Sequence, residues 1–337
     1  MASERPLIEG PLKLLHQIDV SSDILCCSLS ESSPLYVAVG SADGIIRVFI
    51  PETGTLVFKL TAPDKGYGPV TSVSFKKRRA ETANILLATY GGGFVCHWHV
   101  TSSKCLNTIR EDRQTLGAAS SPDGLHFSTV GSDTYVNVYN ETTHQQVHCF
   151  QSSPNKSVMD GHQMRVFTVK YHPAQPRMLV TAGWDDTVQF WDLEVSHSIR
   201  HISNVHVCGD AVDINADDST VLVGSWRSTN SLQLYDFKSC KLMKTLSFGR
   251  GKSCQLYCAK WIDQGMIACG GGSENVAKIV EKQAGRNQAR ISRMQHAVYS
   301  QDYFLSSQRQ RLYVVTSGSL LFIYQHNFSG FVDVGDE

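Results

Sequence analysis

A short strand-like run recurs seven times along this chain of 337 residues, and its spacing strongly limits the folds that the chain can adopt. Each run is rich in β-branched and aromatic residues and follows a turn signal, a combination typical of antiparallel strands. The residues that end the runs lie 41 to 52 residues apart and are Phe49, Trp98, Tyr139, Trp191, Tyr235, Val280 and Tyr324. A period of about 45 residues fits a repeat of four short strands, so the sequence predicts seven such units.

The fourth unit carries the most specific motif of the chain. Gly161-His162 precedes its first strand, Trp191-Asp192 ends its third, and three runs of β-branched and aromatic residues lie between the two pairs. A unit of this kind resembles one repeat of the WD-repeat β-propeller family. The resemblance covers residues 11–326 and implies an all-β fold, a seven-bladed β-propeller of four-stranded antiparallel blades.

The resemblance also implies a structural role for four residues of this unit. In the family, the histidine of the Gly-His pair bonds an aspartate in a tight turn and engages a Ser or Thr and the tryptophan. The corresponding structural tetrad consists of His162, Thr181, Asp185 and Trp191. The turn position of Asp185 is acidic in four of the seven units, where a carboxylate can accept backbone N–H bonds. We therefore expect the tetrad to hold one blade together and not to act as a catalytic triad.

The two ends of the chain are expected to close the propeller. Six of the seven runs are followed by an outer strand, whereas Tyr324 is followed by none. Residues 11–18 resemble those outer strands and should complete the last blade, which removes the open edges of the sheet. The predicted division is an N-terminal tail over residues 1–10, one propeller over 11–326 and a C-terminal tail over 327–337.

Charge and composition limit the classes of function. Lys plus Arg and Asp plus Glu both number 31, so the net charge is zero, which argues against a broad positive field for nucleic acid or acidic membrane. The first ten residues lack the apolar core of a secretory signal, and no apolar run is long enough to span a bilayer. We therefore expect ten reduced cysteines, a cytoplasmic location, protein or peptide partners, and neither membrane binding nor direct nucleic-acid binding.

The motifs that could carry chemistry have simpler structural interpretations. Residues 249–253, Gly-Arg-Gly-Lys-Ser, finish with the Gly-Lys-Ser that also closes the phosphate-binding loop motif. The motif requires its first glycine at position 246, where this sequence has Leu246. Residues 96–99, Cys-His-Trp-His, collect metal-ligand types, but neighbouring side chains of a strand face opposite sides. No nucleophile-elbow or metalloprotease motif occurs in the sequence. The sequence thus predicts no catalytic residue, no metal and no cofactor.

The residues with the strongest indication of partner binding lie in tight turns. In propellers these turns share one face, here named the top face, with the connections from outer to inner strands. Trp184 stands where the other units have mostly small residues, and Trp226 and Arg227 occupy the equivalent turn of the next unit. Trp and Arg are enriched at binding hot spots. Together with Lys252 in a top-face connection, they form the candidate site for a peptide or protein partner of a non-enzymatic scaffold or adaptor, the role that the resemblance implies.

Two alternatives to a general scaffold stay open. A substrate receptor of a cullin-type ubiquitin ligase often ends a repeat in Trp-Asp-x-Arg, whereas residues 191–194 here read Trp-Asp-Leu-Glu. A nuclear or chromatin-associated subunit would use a basic patch on the opposite, bottom face, comprising Lys76, Lys77, Arg78, Arg79, Arg309 and Arg311. Residues 76–79 fit a minimal nuclear-import pattern, although a solvated loop is the simpler interpretation.

Overall fold

The computed structural model describes residues 5–31, 33–63, 65–76, 84–155, 158–217, 219–247, 254–305 and 311–327. Within these ranges the chain forms 29 β-strands in seven antiparallel sheets, and two short 3-10 helices, Lys65–Tyr67 and Val100–Ser102. No helix within them combines the length and the hydropathy that a bilayer span requires. The predicted fold class, an all-β propeller with seven four-stranded blades, is confirmed.

The strands follow one another in the order that the repeat predicts. Two strands precede the first complete blade, β1 (Leu7–Glu9) and β2 (Leu12–Asp19). Blade one contains β3 (Ile24–Leu29), β4 (Val37–Ser41), β5 (Ile45–Ile50) and β6 (Thr55–Thr61). Blade two contains β7 (Val70–Phe75), β8 (Ile85–Tyr90), β9 (Phe94–His99) and β10 (Lys104–Arg110). Blade three contains β11 (Thr115–Ser120), β12 (His126–Gly131), β13 (Val136–Asn140) and β14 (Gln146–Phe150).

The second half of the chain repeats this arrangement. Blade four contains β15 (Val166–His172), β16 (Gln175–Gly183), β17 (Thr187–Asp192) and β18 (Arg200–Ser203). Blade five contains β19 (Val212–Ile214), β20 (Thr220–Gly224), β21 (Leu232–Asp236) and β22 (Leu242–Leu246). Blade six contains β23 (Leu256–Trp261), β24 (Met266–Gly271), β25 (Val276–Glu281) and β26 (Asn287–Ser292). Blade seven contains β27 (Val298–Leu305), β28 (Arg311–Ser317) and β29 (Leu320–His326).

The hydrophobic core of the propeller lies between adjacent blades. The second strand of a blade is covered on both faces by neighbouring blades, and every residue of β4 is buried. This is why most of the second strands are rich in apolar residues, whereas the rim strand β10 is mostly exposed. One apolar cluster joins blades one and two, and another joins blades four, five and six. All ten cysteines are free thiols, and six of them are buried in this core.

The N-terminal strand closes the propeller by completing blade seven. Strand β2 pairs antiparallel with β29, from Leu12 opposite His326 to Asp19 opposite Leu320. The sheet therefore reads β2-β29-β28-β27, with one strand from the beginning of the chain and three from its end. This is the closure that the missing outer strand after Tyr324 predicts.

The first residues of the chain contribute one strand that the sequence pattern does not predict. Leu7–Glu9 lies within the segment expected as a tail, yet it pairs with β26 as a fifth strand of blade six. Three residues are too few to show the alternation of apolar and polar residues that marks a strand, and the neighbouring Pro6 and Gly10 are typical of a turn. Gly10 has a φ of 95°, and a Cβ there would lie 2.3 Å from the Gln288 carbonyl oxygen, so glycine allows this close approach. The added strand covers the rim of blade six.

Candidate functional site

The four tetrad residues of blade four form one chain of hydrogen bonds. Trp191 Nε1 donates to Thr181 Oγ1 at 2.7 Å, and Thr181 Oγ1 lies 2.7 Å from His162 Nε2. His162 Nδ1 lies 2.7 Å from Asp185 Oδ2. All three bonds are satisfied when the Thr181 hydroxyl donates to Nε2 and the Nδ1–H of His162 donates to the carboxylate. Both ring nitrogens of the buried His162 are thus engaged in tying the connection before β15 to β16 and β17.

Asp185 is the most connected member of the tetrad. Besides His162, its carboxylate accepts the Gln163 backbone N–H at 2.9 Å and both the N–H and the hydroxyl of Thr187, at 3.2 and 2.9 Å. Burial alone would raise the pKa of Asp185, but the bonds to His162, Gln163 and Thr187 hold the pKa below its usual range. The carboxylate therefore stays ionised and fixes the tight turn between β16 and β17.

Blade three has a different buried network at the corresponding positions, centred on a residue that the sequence pattern does not reveal. Glu111 stands four residues before β11, just as His162 stands four residues before β15. Four side chains donate hydrogen bonds of 2.6 to 2.9 Å to its carboxylate, and they are Thr115, Thr129, Asn137 and Tyr139. Thr129 and Tyr139 correspond to Thr181 and Trp191 in their strand registers.

Arg113 completes this network as the buried counter-ion of Glu111. Its Nε and Nη2 lie 3.0 and 3.1 Å from the two Glu111 oxygens, and its Nη1 lies 2.6 Å from Asp133. The side chains of Glu111 and Arg113 are each 4% exposed. Burial alone would raise the pKa of Glu111, but the Arg113 guanidinium and the donated hydrogen bonds lower the pKa to about 2. The ionised carboxylate takes the place that the histidine has in blade four.

A cavity of about 1350 Å³ follows the axis of the propeller, and the first strand of each blade lines it. Six of these strands have a β-bulge at or near their second residue, where the extra residue loses its cross-strand partner and its side chain is re-aimed. The extra residues all line the cavity, and they are Leu25, Thr71, Leu116, Phe167, Tyr257 and Tyr299. The bulges thus place a circle of mostly apolar and aromatic side chains around the top end of the channel.

Charged side chains in the channel connect neighbouring blades. Lys170 Nζ of blade four lies 2.8 Å from Asp210, which precedes blade five. Lys260 of blade six forms an ion pair with Asp302 of blade seven, whose other oxygen accepts the Leu29 N–H of blade one at 2.6 Å. Asp302 therefore bridges three consecutive blades. Because ion pairs and hydrogen bonds to the backbone hold these groups, we interpret them as structural links between blades.

A continuous row of rings crosses the top face from blade four to blade seven, and we name it the aromatic row. Trp184 stacks on His206 with ring centroids 6.4 Å apart, and His206 lies 6.5 Å from Trp226. Trp226 lies 6.3 Å from Tyr257, which lies 4.8 Å from Tyr299. The tight turns supply the tryptophans, the connection between blades four and five supplies His206, and two β-bulges supply the tyrosines. Each ring therefore comes from a different structural element.

Charged groups flank the aromatic row at its blade-four end. The guanidinium of Arg165 lies 4.5 Å from the centroid of the Trp184 ring, a cation–π contact. Asp186 Oδ1 lies 2.6 Å from His206 Nδ1, and its other oxygen lies 3.5 Å from Arg227. The structure thus brings Trp184, Trp226 and Arg227 into one surface, in which His206 and Asp186 are the connecting residues. Neither connecting residue is distinguished by the repeat pattern.

The remaining predicted site residues fall mostly outside the part of the chain that the structure describes. Those outside it are Lys77, Arg78, Arg79, Lys252 and Arg309. Lys76 is largely buried and forms an ion pair with Glu141, so it is a partner within the fold and not an unpaired surface charge. Arg311 begins β28 of blade seven, and blade one separates it from Lys76, which follows the first strand of blade two.

Comparisons with known proteins agree with this architecture. Residues 152–192 match the model of the WD domain, G-beta repeat, and residues 26–171 match that of the Vps8 beta-propeller. A WD repeat-containing protein 89 homolog from Dictyostelium discoideum is 23% identical over 245 residues, which are 72% of this chain and 61% of that protein. Ciliary dynein intermediate chain 2 from Heliocidaris crassispina is 22% identical over 186 residues, 51% of this chain and 26% of that protein.

A third relative is the ribosome biogenesis protein WDR12 homolog from Drosophila yakuba, 27% identical over 149 residues, 41% of this chain and 34% of that protein. The matched region thus spans less than two thirds of the length of each of these three relatives. The WD-domain match contains the whole tetrad of blade four, and the seven sheets have the four-stranded pattern of that repeat. The two matched models, the WD-repeat relatives and the seven-bladed architecture together support a WD-repeat β-propeller family for this chain.

Proposed function

We propose that this protein is a non-enzymatic adaptor that binds a peptide segment of a partner protein on its top face. The observation that carries the proposal is the aromatic row, which runs without interruption across blades four to seven. Trp, Tyr and Arg supply much of the binding energy at protein interfaces. The row combines all three residue types when Arg165 and Arg227 at its flank are included.

The strands and turns that carry the aromatic row are rigid, so the row should lose little conformational entropy when a partner binds. The rings project from strands and tight turns of a closed propeller, whose backbone is paired on every blade. Trp184 and Trp226 are half-buried and in contact with other rings, so their orientation is set before a partner arrives. Preorganised aromatic groups lose little conformational freedom on binding, which leaves more of the contact energy as affinity.

Exposed apolar side chains extend this surface beside blade four. Val158, Met159 and Met164 are exposed and lie in the top-face connection that leads into β15. Met164 directly precedes Arg165, the residue that covers the ring of Trp184. Apolar groups next to aromatic anchors, with charged residues at the margin, match the composition of protein interfaces. The names of two relatives, a dynein intermediate chain and a ribosome biogenesis protein, further support membership of a multiprotein complex.

Alanine at both Trp184 and Trp226 should weaken partner binding about 30-fold or more, because truncation of a hot-spot aromatic typically costs about 2 kcal/mol or more. Tagged wild-type chain first captures partners from cell extract for identification by mass spectrometry. The affinity of the purified partner is then measured for wild type and variants by calorimetry.

The matched control for this experiment is Tyr135→Ala. Tyr135 is an exposed aromatic residue in the top-face turn of blade three, outside the aromatic row. This variant should bind the partner as the wild type does. Equal affinity of the double variant and the wild type, or an equal loss in Tyr135→Ala, would contradict a binding site on the row.

The two narrower roles stay predictions. For a cullin-type substrate receptor, Glu194 stands where the arginine of the ligase-associated motif would be, and it forms an ion pair with Arg177. For a nuclear role, the import-like residues 77–79 lie outside the described residues. A cytoplasmic location, with nuclear import through residues 76–79, is tested by imaging the tagged chain before and after replacing these residues with alanine.

A further inference from the structure

Three potential metal ligands from two blades meet at the bottom of the propeller. His97 lies in β9 of blade two, and Glu141 and His144 lie in the turn between β13 and β14 of blade three. One ligand atom from each of the three side chains lies within 4.8 Å of the others. All three residues are among those that line the cavity, where Glu141 and His144 are partly exposed and His97 is buried. None of them belongs to the aromatic row or to the tetrad.

The polar atoms of this cluster have unused bonding capacity. His97 is only 2% exposed, yet neither of its ring nitrogens has a hydrogen bond of acceptable geometry among the described residues. The Oε2 atom of Glu141 is also buried without a hydrogen-bond partner among them. Buried polar groups normally have partners, and each exception requires an explanation such as an ion at the site. The orphaned atoms lie on the facing sides of blades two and three.

The geometry of the cluster suits a small divalent ion. His97 Nε2 lies 3.3 Å from Glu141 Oε1, which is about the edge length of a tetrahedron with metal–ligand bonds of about 2.0–2.1 Å. The His144 ring centroid lies 5.0 Å from that of His97, and His144 is half-exposed on a turn, so its ring can rotate toward the other two ligands. Two imidazoles and one carboxylate form the ligand set of open zinc sites with a fourth position for water.

We propose that His97, Glu141 and His144 form a binding site for a divalent transition metal ion of the zinc class, which joins blades two and three. In the structure the ammonium of Lys76 pairs with Glu141 and supplies the positive charge of the site. The metal ion takes over this role, and Lys76 is released toward the cavity, which it also lines. Metal and Lys76 therefore compete for the same carboxylate.

Zinc titration of the chelator-treated full-length chain tests this site. Calorimetry should show one Zn²⁺ ion per chain for the wild type. His144→Asn should reduce the affinity about tenfold or more, because one of three protein ligands is lost. Asn tolerates the left-handed backbone conformation of His144, whose φ is 59°, so the turn is preserved. Lys76→Gln should tighten binding, since the competing ammonium is removed.

The matched control is His148→Asn, which removes a half-buried histidine of the same blade that lies outside the cluster. It should leave the zinc affinity unchanged. Cobalt substitution adds a spectroscopic test, since tetrahedral Co²⁺ bound by imidazole and carboxylate absorbs in the visible range without thiolate charge-transfer bands. Thiolate bands would assign the ion to the exposed Cys105 or Cys149 and overturn the proposal. Absence of binding by the wild type, or equal affinity of His144→Asn, would overturn it as well.

Discussion

Replacing Glu111 with alanine should lower the free energy of unfolding by about 3–5 kcal/mol, the range found when one partner of a buried ion pair is removed. The variant leaves the Arg113 guanidinium buried, with the partly exposed Asp133 as its remaining acidic partner. It also leaves four donors without their acceptor, namely Thr115, Thr129, Asn137 and Tyr139. Urea denaturation followed by tryptophan fluorescence measures the loss.

A double variant separates the cost of the stranded charge from the cost of lost packing. Glu111→Met/Arg113→Leu removes both charges and keeps apolar volume in the site. We expect it to be more stable than Glu111→Ala, because no unpaired charge stays buried. If the double variant were less stable than the single one, the ion pair would not be the dominant contribution of Glu111.

The network around Glu111 should make the free energy of unfolding depend on pH in the acid range. The pKa of Glu111 is about 2 in the folded protein against an ordinary value of 4.5, so the folded state binds this proton more weakly than the unfolded chain does. The stability that Glu111 contributes is therefore complete above about pH 4.5 and is lost as the pH falls toward 2. Over this interval the free energy of unfolding of the wild type should fall more steeply than that of Glu111→Gln. Parallel curves would contradict this assignment.

Asp185→Ala should cost about 2–4 kcal/mol, because it removes one buried acceptor and strands the donors that it serves. His162 loses the partner of its Nδ1–H, the Gln163 N–H before β15 loses its acceptor, and Thr187 at the start of β17 loses two bonds. The ring of His162 is then free to rotate, which also weakens its bond to Thr181. Thermal and urea unfolding of the purified variant measure the change.

Asp43→Ala is the matched control for Asp185→Ala. Asp43 occupies the same turn position in blade one and pairs with Arg47 near the surface. Its side chain is 32% exposed, whereas that of Asp185 is 4% exposed. Surface ion pairs contribute about 0–1 kcal/mol, so this variant should be nearly neutral. Equal losses in the two variants would show that the buried tetrad adds nothing beyond an ordinary acidic turn.

The tetrad and its blade-three counterpart differ in how far sequence predicts them. His162 belongs to a motif that marks its own position, and the turn aspartate follows from the repeat spacing. Glu111 stands in a segment that reads as a charged surface connection, Arg110-Glu111-Asp112-Arg113. The signal that finds it is the offset of four residues before the inner strand, which it shares with His162. That offset becomes measurable only when the strand boundaries are known.

The aromatic row shows a second kind of limit. Trp184, Trp226 and Arg227 stand out because they break the pattern of small residues in the turns. Tyr257 and Tyr299 read as ordinary residues of apolar strands, since alternation alone does not reveal a β-bulge. The bulges re-aim these side chains toward the axis, where rings from separate blades meet. The basic patch shows the opposite case, because Lys76 reads as surface charge and is paired with Glu141 inside the fold.

The sequence by itself determined the number of blades, the order of their strands and the closure of blade seven by the N-terminal strand. These properties follow from local strand periodicity, turn residues and a repeat length, all of which are written within single units. Only the tertiary structure decided which side chains meet between blades, as in the aromatic row and the cluster of His97, Glu141 and His144. Such contacts depend on how consecutive blades pack around the axis, and no pattern within one repeat encodes that geometry.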